Sequence, residues 1–339
     1  MRLLIVTQKV DKNDDILGFF HRWILEFAKH YEFVTVIALQ IGEYDLPENV
    51  KVLSLGKEEG ESKIKYIFNF YKYIWNERKN YDVVFVHMNP IYVVLGGLVW
   101  KLLNKKIGLW YTHKSVDAKL RIAESFVDSI FTASDRSFRL KSNKLHVMGH
   151  GIDEKQFKDE KLKVENDKIN ILHVGRISRS KNIHLFVEVA EILKTQKVKF
   201  QVNIIGSSIT KEDKKYLETL RKDILNKKLT EYFNFIGAIQ PDKARLYYKK
   251  SDIFINLSDT GSMDKTVLEA MVSGIQILVS NEAFENILPK VNKTTKDPEH
   301  IAEYVQKIAN IKPDPSLREY VLKNHNLGNL IQELFMSMK

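Results

Sequence analysis

Short apolar runs alternate with stretches in which apolar residues recur every three or four positions along this chain of 339 residues. The short runs are continuously apolar instead of alternating with polar residues, which is typical of parallel strands covered on both faces. Seven strands are predicted in the first half of the chain, over residues 3–8, 34–39, 50–55, 82–88, 107–113, 129–134 and 145–151. Five more are predicted in the second half, over residues 170–176, 201–207, 233–239, 253–258 and 276–281.

The spacing of three or four predicts helices between most of these strands. Ser62 is a candidate N-cap for a helix that extends to Lys79, with a buried stripe formed by Ile64, Ile67, Phe68, Tyr71, Ile74 and Trp75. Further helices are predicted over residues 19–30, 180–194, 213–226 and 243–250. A last helical pattern follows Pro313 and Pro315 and covers residues 316–339.

Strands that alternate with helices predict the α/β class, here with two Rossmann-like domains that each contain a doubly wound parallel sheet. Residues 153–168, "DEKQFKDEKLKVENDK", are charged and almost free of apolar runs, so we interpret them as a linker. The expected domains cover residues 1–155 and 166–315, with residues 316–339 as a C-terminal helix. Ligands bind beyond the carboxyl ends of the strands in such sheets, and two facing domains would form a cleft.

Composition narrows the possible functions. The absence of cysteine excludes disulfides and cysteine-bound metal sites, and it fits a reducing compartment such as the cytoplasm. The first apolar run is too short for a signal peptide, and residues 91–103 fall short of the roughly 20 residues that span a bilayer, so a soluble or peripheral protein is expected. A net charge of +10 favours anionic partners, and a lysine-rich surface that serves solubility explains it equally well.

Two cations follow the first strand of the second half, in "LHVGRISRSKNIHLFVEVAEIL". Arg176 comes directly after the strand, and Lys181 is expected at the start of the next helix. Backbone N–H groups and the helix dipole favour anions at that position, so the two side chains predict a phosphate or diphosphate site. Solvated loop charges are the alternative interpretation.

The stretch "DTGSMDKTVLEAM", residues 259–271, has the same layout. Its loop leads from a strand into a short helix, where Gly261 and Ser262 would allow a ligand to approach and the N–H groups of 263–266 would point outward. Gly274 is a natural helix stop. The apolar residues of this helix, Val267, Leu268, Ala270 and Met271, are expected to pack inward.

Glu269 interrupts the apolar residues of this helix, and two explanations are open. One is an ion pair with Lys265 four residues earlier, which would contribute about 0.3–0.5 kcal/mol and in this order is the weaker orientation. The other is a partly buried carboxylate that accepts hydrogen bonds from a vicinal diol such as a nucleotide ribose.

These motifs together resemble those of the family 4 retaining glycosyltransferases. "VGRISRSKNIHLFVEVAEIL" is similar to the "VGR…KG…L..A" signature, and "LEAMVSGIQILVS" to the end of the Glu-x7-Glu motif and its sequel. "FNFIGAI…ARLYYKKSDIFINLS", "LHVMGHGID…F" and "SIFTAS" are similar to further segments of that family, so the resemblance covers nearly the whole chain. It implies the GT-B architecture, with the last helix crossing back to the N-terminal domain.

The resemblance also implies roles for individual residues. Arg176 and Lys181 would hold the donor diphosphate, and Glu269 would bind the nucleotide ribose. Ile239, at a strand end, would meet the base, while Gly18 would face the diphosphate and His113 would lie near the donor phosphate and the acceptor. The catalytic set is therefore His113, Arg176 and Lys181. The remaining donor-binding residues are expected at the second helix start: Gly261, Ser262, Met263, Asp264, Lys265 and Thr266.

One position departs from the family pattern. Gly261 stands where the first Glu of the motif is usual, because "GSMD" occupies the place of "EGFG". The carboxylate that contacts the donor sugar could come from Asp264 or Asp259, or the backbone amides of Ser262 and Met263 could hold the sugar alone. An inactive relative is a further alternative.

The expected function is the transfer of a sugar from a nucleotide-diphosphate sugar to a glycan or lipid-linked acceptor, without a metal or other cofactor. A sugar-nucleotide epimerase of the same architecture and a non-catalytic basic binding protein are the alternatives. Nucleic acid is not an expected partner, because the aromatic residues follow core spacing. The helix over 62–79 is rich in lysine and aromatic residues, which fits contact with an anionic membrane as well as ordinary burial. The protein is therefore expected in the cytoplasm, either free or peripheral on the inner membrane face.

Overall fold

The computed structural model describes residues 1–157, 167–307 and 311–339. The chain folds into two compact units, one of residues 1–153 and 324–339 and the other of residues 154–323. Most of the expected linker, residues 158–166, lies outside the described part of the chain. The domain limits given above therefore stay predictions.

All twelve predicted strands form, and most end earlier than the apolar runs suggest. Unit 1 contains β1 (Arg2–Val10), β2 (Phe33–Ile41), β3 (Val50–Ser54), β4 (Val83–His87), β5 (Lys106–Trp110), β6 (Ser129–Thr132) and β7 (Leu145–Val147). Unit 2 contains β8 (Ile169–Val174), β9 (Phe200–Ile205), β10 (Phe233–Gly237), β11 (Ile253–Asn256) and β12 (Gln276–Val279).

Both sheets are parallel and doubly wound. The seven-stranded sheet of unit 1 has the order β3-β2-β1-β4-β5-β6-β7, and the five-stranded sheet of unit 2 has the order β10-β9-β8-β11-β12. The strand order reverses between β1 and β4 in the first sheet and between β8 and β11 in the second. Ligands of such sheets bind beyond the carboxyl ends of the strands at these reversals, which directs attention to the loops after β8 and β11.

Helices cover the sheets in both units. Unit 1 contains α1 (Gly18–His30), α2 (Lys63–Asn76), α3 (Ile91–Leu102) and α4 (Ala118–Phe126). Unit 2 contains α5 (His184–Thr195), α6 (Lys211–Asn226), α7 (Pro241–Lys250), α8 (Lys265–Ser273) and α9 (Pro298–Lys307), and α10 (Pro315–Asn324) and α11 (Leu327–Met338) follow. Ser62 caps α2 by accepting a hydrogen bond from the Lys65 amide, and Gly274 ends α8 with a φ of 66°, both as predicted.

The predicted buried stripe of α2 is wrong except at Ile74. Phe70 and Ile74 are the buried residues of this helix, and the Phe70 ring packs against Tyr92 and Trp100 of α3. Tyr66 and Tyr73 pack partly against the same core, while Ile64, Ile67, Phe68, Tyr71 and Trp75 are exposed. The helix is apolar on two faces, and periodicity alone cannot choose which of them meets the sheet.

Two further helix predictions need correction. The predicted helix over 180–194 begins only at His184, because Lys181 lies in a short 3-10 turn and Asn182 adopts a left-handed conformation with a φ of 51°. The final pattern over 316–339 forms two helices, because the chain extends at His325 and Asn326, where Ile152 donates to the His325 carbonyl and Asn326 caps α11. Helix α11 packs on α1 within unit 1.

Within residues 1–157, 167–307 and 311–339, no helix has the length and apolar character needed to cross a bilayer.

Three of the buried histidines, His87, His173 and His325, have strongly lowered pKa values. His87 is stacked on Phe20 with ring centroids 3.9 Å apart, while His173 and His325 lie on β8 and before α11. Burial lowers the pKa of His87 to about 3 and the pKa of His173 and His325 to about 4, the nearby Lys181 charge adding to the effect at His173.

We predict that the melting temperature falls as the pH decreases from 7.5 to about 5. The unfolded chain takes up protons below its ordinary histidine pKa of about 6.5, whereas the folded chain cannot, so each histidine costs up to about 1.4 kcal/mol per pH unit below that value. Thermal unfolding across this range measures the slope. His87→Gln should flatten it, and His300→Gln, at an exposed position, should not. Equal slopes in all three proteins would contradict this origin of the pH dependence.

Candidate functional site

The candidate site lies at the strand-order reversal of unit 2, beyond the carboxyl ends of β8 and β11. Arg176 and the turn around Lys181 follow β8, and the loop over 257–264 follows β11 and leads into α8. Because parallel neighbouring strands end at the same edge of a sheet, segments about 80 residues apart in sequence meet here. Arg176, Lys181 and the start of α8, which the sequence predicts as parts of one site, all follow strands that end at this edge.

Lys181 is held by a network of short contacts at the centre of the site. Its Nζ donates to Asp264 Oδ1 at 2.9 Å, to Asp264 Oδ2 at 2.8 Å and to Ser258 Oγ at 3.1 Å. Only 14% of the Lys181 side chain and 15% of the Asp264 side chain are exposed. The two residues therefore form a largely buried ion pair that connects the turn after β8 to the start of α8.

Asp264 is stabilised as a carboxylate by its partners. Burial alone would raise the pKa of Asp264, but the charge of Lys181 and the hydrogen bonds from Lys181, Asn256 and Ser258 lower it. Asn256 Nδ2 donates to Asp264 Oδ2 at 2.9 Å from the end of β11. Asp264 occupies the N-cap position of α8, yet its side chain caps no amide of that helix, because it turns to Lys181 instead.

Asp259 is engaged nearby. Asn182, in its left-handed conformation, donates through Nδ2 to the Leu257 carbonyl at 2.9 Å and to Asp259 Oδ2 at 2.6 Å. Lys296 also forms an ion pair with Asp259. Both carboxylates that could replace the missing Glu are therefore bonded to protein groups in this structure.

Arg176 is the more open of the two cations. Its side chain is 48% exposed, and its Nε lies 3.8 Å from Asp213 Oδ2 on α6. Such a contact in water is weak, typically below about 1 kcal/mol. The Arg176 guanidinium is therefore available to an anion that approaches the end of β8.

The start of α8 presents backbone donors. Gly261 has a φ of 58°, which favours glycine, and Asn281 Nδ2 fixes the loop by donating to the Ser262 carbonyl at 2.9 Å. Met263 is buried, and the first turn contains Lys265 and Thr266. The first amides of a helix have no intrahelical acceptor, so this turn favours an anion.

Glu269 projects from α8 one turn further along. Tyr248 of α7 donates from its hydroxyl to Glu269 Oε2 at 3.0 Å, and Lys265 Nζ lies 3.8 Å from Glu269 Oε1. The pair with Lys265 thus exists, but the tyrosine contact is the shorter one. The Glu269 side chain remains 19% exposed, so its carboxylate can still accept donors from a ligand.

The pKa of Glu269 is shifted in the opposite direction from that of Asp264. Burial raises the pKa of Glu269, and the charge of Lys265 and the hydrogen bond from Tyr248 counteract only part of that effect. The pKa of Tyr248 is raised by burial and by the neighbouring carboxylate. A ligand that donates two hydrogen bonds to Glu269 would favour its ionised form.

The other predicted site residues lie elsewhere in the two units. Ile239 is half-buried, two residues beyond β10 in unit 2. Gly18 is the buried first residue of α1, and His113 is exposed, with its ring edge-on to Tyr111 at 5.6 Å. Gly18 and His113 belong to unit 1.

Sequence reasoning missed the protein partners of the predicted site residues, among them Tyr248, Asn256, Ser258 as a ligand of Lys181, and Asp213. Asn256 had a signal, because a buried amide inside an apolar strand requires hydrogen-bond partners. Tyr248 had a weaker one, because a buried tyrosine also needs a partner for its hydroxyl. Neither signal names the partner.

Within the described residues, no group of three or more histidine, aspartate or glutamate side chains is arranged to hold a metal ion.

Solved structures of the GT-B fold have the same arrangement of elements. The structure of Anabaena Alr3699/HepE in complex with UDP and glucose matches with a TM-score of 0.74 and 15% identity, covering 100% of this chain and 99% of that one. Sucrose-phosphate synthase from Thermosynechococcus elongatus matches with a TM-score of 0.73 and 14% identity over 99% and 98% of the two chains. At these identities the likeness shows the fold, with two parallel-sheet α/β domains.

Curated relatives match parts of the chain. Alpha-monoglucosyldiacylglycerol synthase of Streptococcus pneumoniae is 30% identical over 129 residues, which are 38% of this chain and 28% of that protein. Sulfoquinovosyl transferase SQD2 of Arabidopsis thaliana is 22% identical over 69% of this chain and 45% of its own length. The alignment thus spans less than half of either relative.

The family model for glycosyl transferases group 1 matches residues 144–326, more than half of the chain. The matched range contains every unit 2 residue of the candidate site, from Arg176 to Glu269. The chain belongs to the glycosyl transferases group 1 family.

Proposed function

We propose that this protein is a family 4 retaining glycosyltransferase that moves a sugar from a nucleotide-diphosphate sugar to a glycan or lipid-linked acceptor. The observation that carries the proposal is the position of Arg176, Lys181 and the start of α8 at one edge of one sheet, where the strand order reverses, with Glu269 one turn along α8. Cations, helix amides and a carboxylate match the diphosphate and the ribose diol of a nucleotide sugar.

The chemistry follows from these groups. The bond between the anomeric carbon and the diphosphate oxygen breaks, and a bond forms from the same face to the acceptor oxygen. The acceptor proton passes to the departing phosphate, which becomes a free nucleoside diphosphate. Arg176, Lys181 and the amides at the start of α8 stabilise the charge that develops on the diphosphate, a contribution that usually dominates in such sites.

The remaining roles rest on the family resemblance. Ile239 contacts the base, Gly18 faces the diphosphate, and His113 polarises or positions the acceptor. The loop from Gly261 to Thr266 meets the donor sugar through backbone amides, since Asp259 and Asp264 are engaged with protein partners.

The acceptor class is supported by the relatives. Two of them are named alpha-monoglucosyldiacylglycerol synthase, from Streptococcus pneumoniae and Acholeplasma laidlawii, and a further one, CapM of Staphylococcus aureus, is named for capsular polysaccharide biosynthesis. Lipid-linked and cell-surface glycans are the acceptors that these names suggest. We place the enzyme in the cytoplasm with a peripheral contact to the membrane, and we propose that it needs no metal or other cofactor.

A thermal-shift screen against UDP-, GDP-, ADP- and dTDP-sugars tests the donor class. A bound donor raises the melting temperature by mass action. The stabilising donor is then incubated with the protein in the absence of an acceptor. Release of an epimerised nucleotide sugar would show that the protein is an epimerase and not a glycosyltransferase. Stabilisation by no nucleotide sugar would contradict the proposal.

Glu269→Ala and Arg176→Ala should affect different kinetic constants. We predict that Glu269→Ala weakens donor binding about tenfold, because the ribose loses its acceptor, and that Arg176→Ala lowers kcat about a hundredfold by removing charge stabilisation. Calorimetry and initial rates measure the two effects. Glu218→Ala and Lys222→Ala, exposed on α6, are the charge-matched controls. Unchanged kinetics in both site variants would overturn the assignment.

Tyr248→Phe should make donor binding more sensitive to acid. The hydrogen bond from Tyr248 lowers the pKa of Glu269 against the effect of burial, so its removal raises that pKa further and protonates the carboxylate at a higher pH. We predict a donor KM about tenfold higher at pH 6, with a smaller change at pH 8 and little change in kcat. Tyr247→Phe, the neighbouring half-buried tyrosine, is the control. An increase in KM that is independent of pH would exclude this role.

Asp264→Asn should strengthen binding of free nucleoside diphosphate. The Asp264 carboxylate neutralises Lys181, and an amide of equal size leaves that positive charge for the ligand. We predict a Kd lower by roughly three- to tenfold at low salt, with a smaller gain at high salt. Calorimetry with the diphosphate selected by the screen measures it. Glu218→Gln removes an exposed charge of the same sign and should change Kd little. Weaker binding by Asp264→Asn would contradict the prediction and show that Asp264 itself contacts the ligand.

A further inference from the structure

Helix α2 exposes a stripe of large apolar side chains on unit 1. The exposed fractions of Ile64, Ile67, Phe68, Tyr71 and Trp75 are 81%, 44%, 62%, 39% and 54%. Residues three or four positions apart lie on one side of a helix, so the five side chains form one continuous stripe. The hydrophobic core uses another face of the same helix, and the stripe is left to the solvent side.

The apolar stripe continues onto α3. Tyr71 donates from its hydroxyl to the Leu95 carbonyl at 2.9 Å. Leu98 and Leu102, with exposed fractions of 60% and 76%, follow Leu95 at helical spacing on α3. We call these seven exposed residues of the two helices, 64, 67, 68, 71, 75, 98 and 102, the α2–α3 surface. Single exposed apolar residues are ordinary, whereas a contiguous group marks an interaction site.

Lysines flank the α2 part of this surface. Four exposed lysines accompany the stripe, at positions 63, 65, 72 and 79. In the described part of the chain, none of these four ammonium groups forms an ion pair. The sequence of α2 contains no acidic residue, and Glu77 just after it is buried with its carboxylate bonded to Lys51 and Asn80. The acidic residues 58, 59 and 61 precede the helix, so the charge along its length is positive.

We propose that the α2–α3 surface binds an anionic lipid bilayer, with α2 lying in the plane of the interface. An apolar centre flanked by lysines complements acyl chains beneath negatively charged head groups. Tyrosine and tryptophan suit the boundary between the two, because each has an apolar body and a polar group. This identifies the surface for the peripheral contact proposed above and does not depend on the donor site.

Trp75 provides a direct probe of the contact. The other tryptophans, Trp23, Trp100 and Trp110, are only 1%, 0% and 3% exposed. A change in the environment of Trp75 therefore dominates any change in the emission of the intact protein. With vesicles of equal parts phosphatidylcholine and phosphatidylglycerol, we expect a blue shift of the emission and sedimentation of the protein with the vesicles.

Two sets of variants test the chemistry of the surface. Phe68→Ser with Trp75→Ser should reduce the partition coefficient at least tenfold, and Lys65→Glu with Lys72→Glu should reduce it by a similar factor. Ile209→Ser with Leu225→Ser is the matched control, since these residues of unit 2 are 50% and 67% exposed. The melting temperature and the nucleotide-sugar binding of every variant should match the unaltered protein, which separates this inference from the proposed function.

Three results would overturn the proposal. The first is no blue shift and no sedimentation with the anionic vesicles. The second is equal binding to vesicles of pure phosphatidylcholine, which would remove the role of the lysines. The third is a dimer in light scattering without lipid that becomes a monomer in Phe68→Ser with Trp75→Ser, because a second copy of the chain would then cover the surface.

Discussion

The buried ion pair between Lys181 and Asp264 sets the geometry of the candidate site. Removing two charges from water costs several kcal/mol each, and such a pair persists only where geometry and further hydrogen bonds offset that cost. Asn256 and Ser258 supply these bonds from the end of β11. The turn after β8 and the start of α8 are thereby fixed to each other, and the helix amides keep one direction. A site for a highly charged ligand needs such preorganisation.

The sequence predicts the frame of this site better than its contacts. Continuous apolar runs identify all twelve strands, and the polar residues after them identify Arg176, Lys181 and the start of α8, because fold class determines where strand ends meet. The partner of Lys181 was not predictable, since Asp264 lies 83 residues away and no local pattern connects the two residues. The hydrogen bond from Tyr248 to Glu269 was not predictable for the same reason, because the packing of α7 on α8 positions the hydroxyl and no local sequence pattern indicates it.

Helix α2 shows what hydrophobic periodicity cannot predict: which of two apolar faces packs against the core. Its sequence contains two apolar stripes, and hydrophobic spacing assigned to the core a set of six residues of which only Ile74 is buried. Phe70 is buried against the rings of Tyr92 and Trp100, which belong to the neighbouring helix α3. A helix with two apolar faces is in itself a signal, since one face suffices for packing in a soluble domain. The sequence therefore predicts that α2 has an apolar face outside the core, and only the structure shows which of the two faces that is.

The shifted acid at the start of α8 changes the charge balance of the site. The family segment "EGFG" has its acidic residue at the first position. The corresponding segment of this chain, "GSMD", has its acidic residue at the last position, three residues later at Asp264. An acid at position 261 would lie in the loop, but at position 264 it meets Lys181 and forms the ion pair. Arg176 also has an acidic neighbour in Asp213, so both cations are partly neutralised before a ligand arrives. Attraction of a diphosphate then depends more on the amides of the first turn and on Arg176, whose contact is long and exposed, than on Lys181.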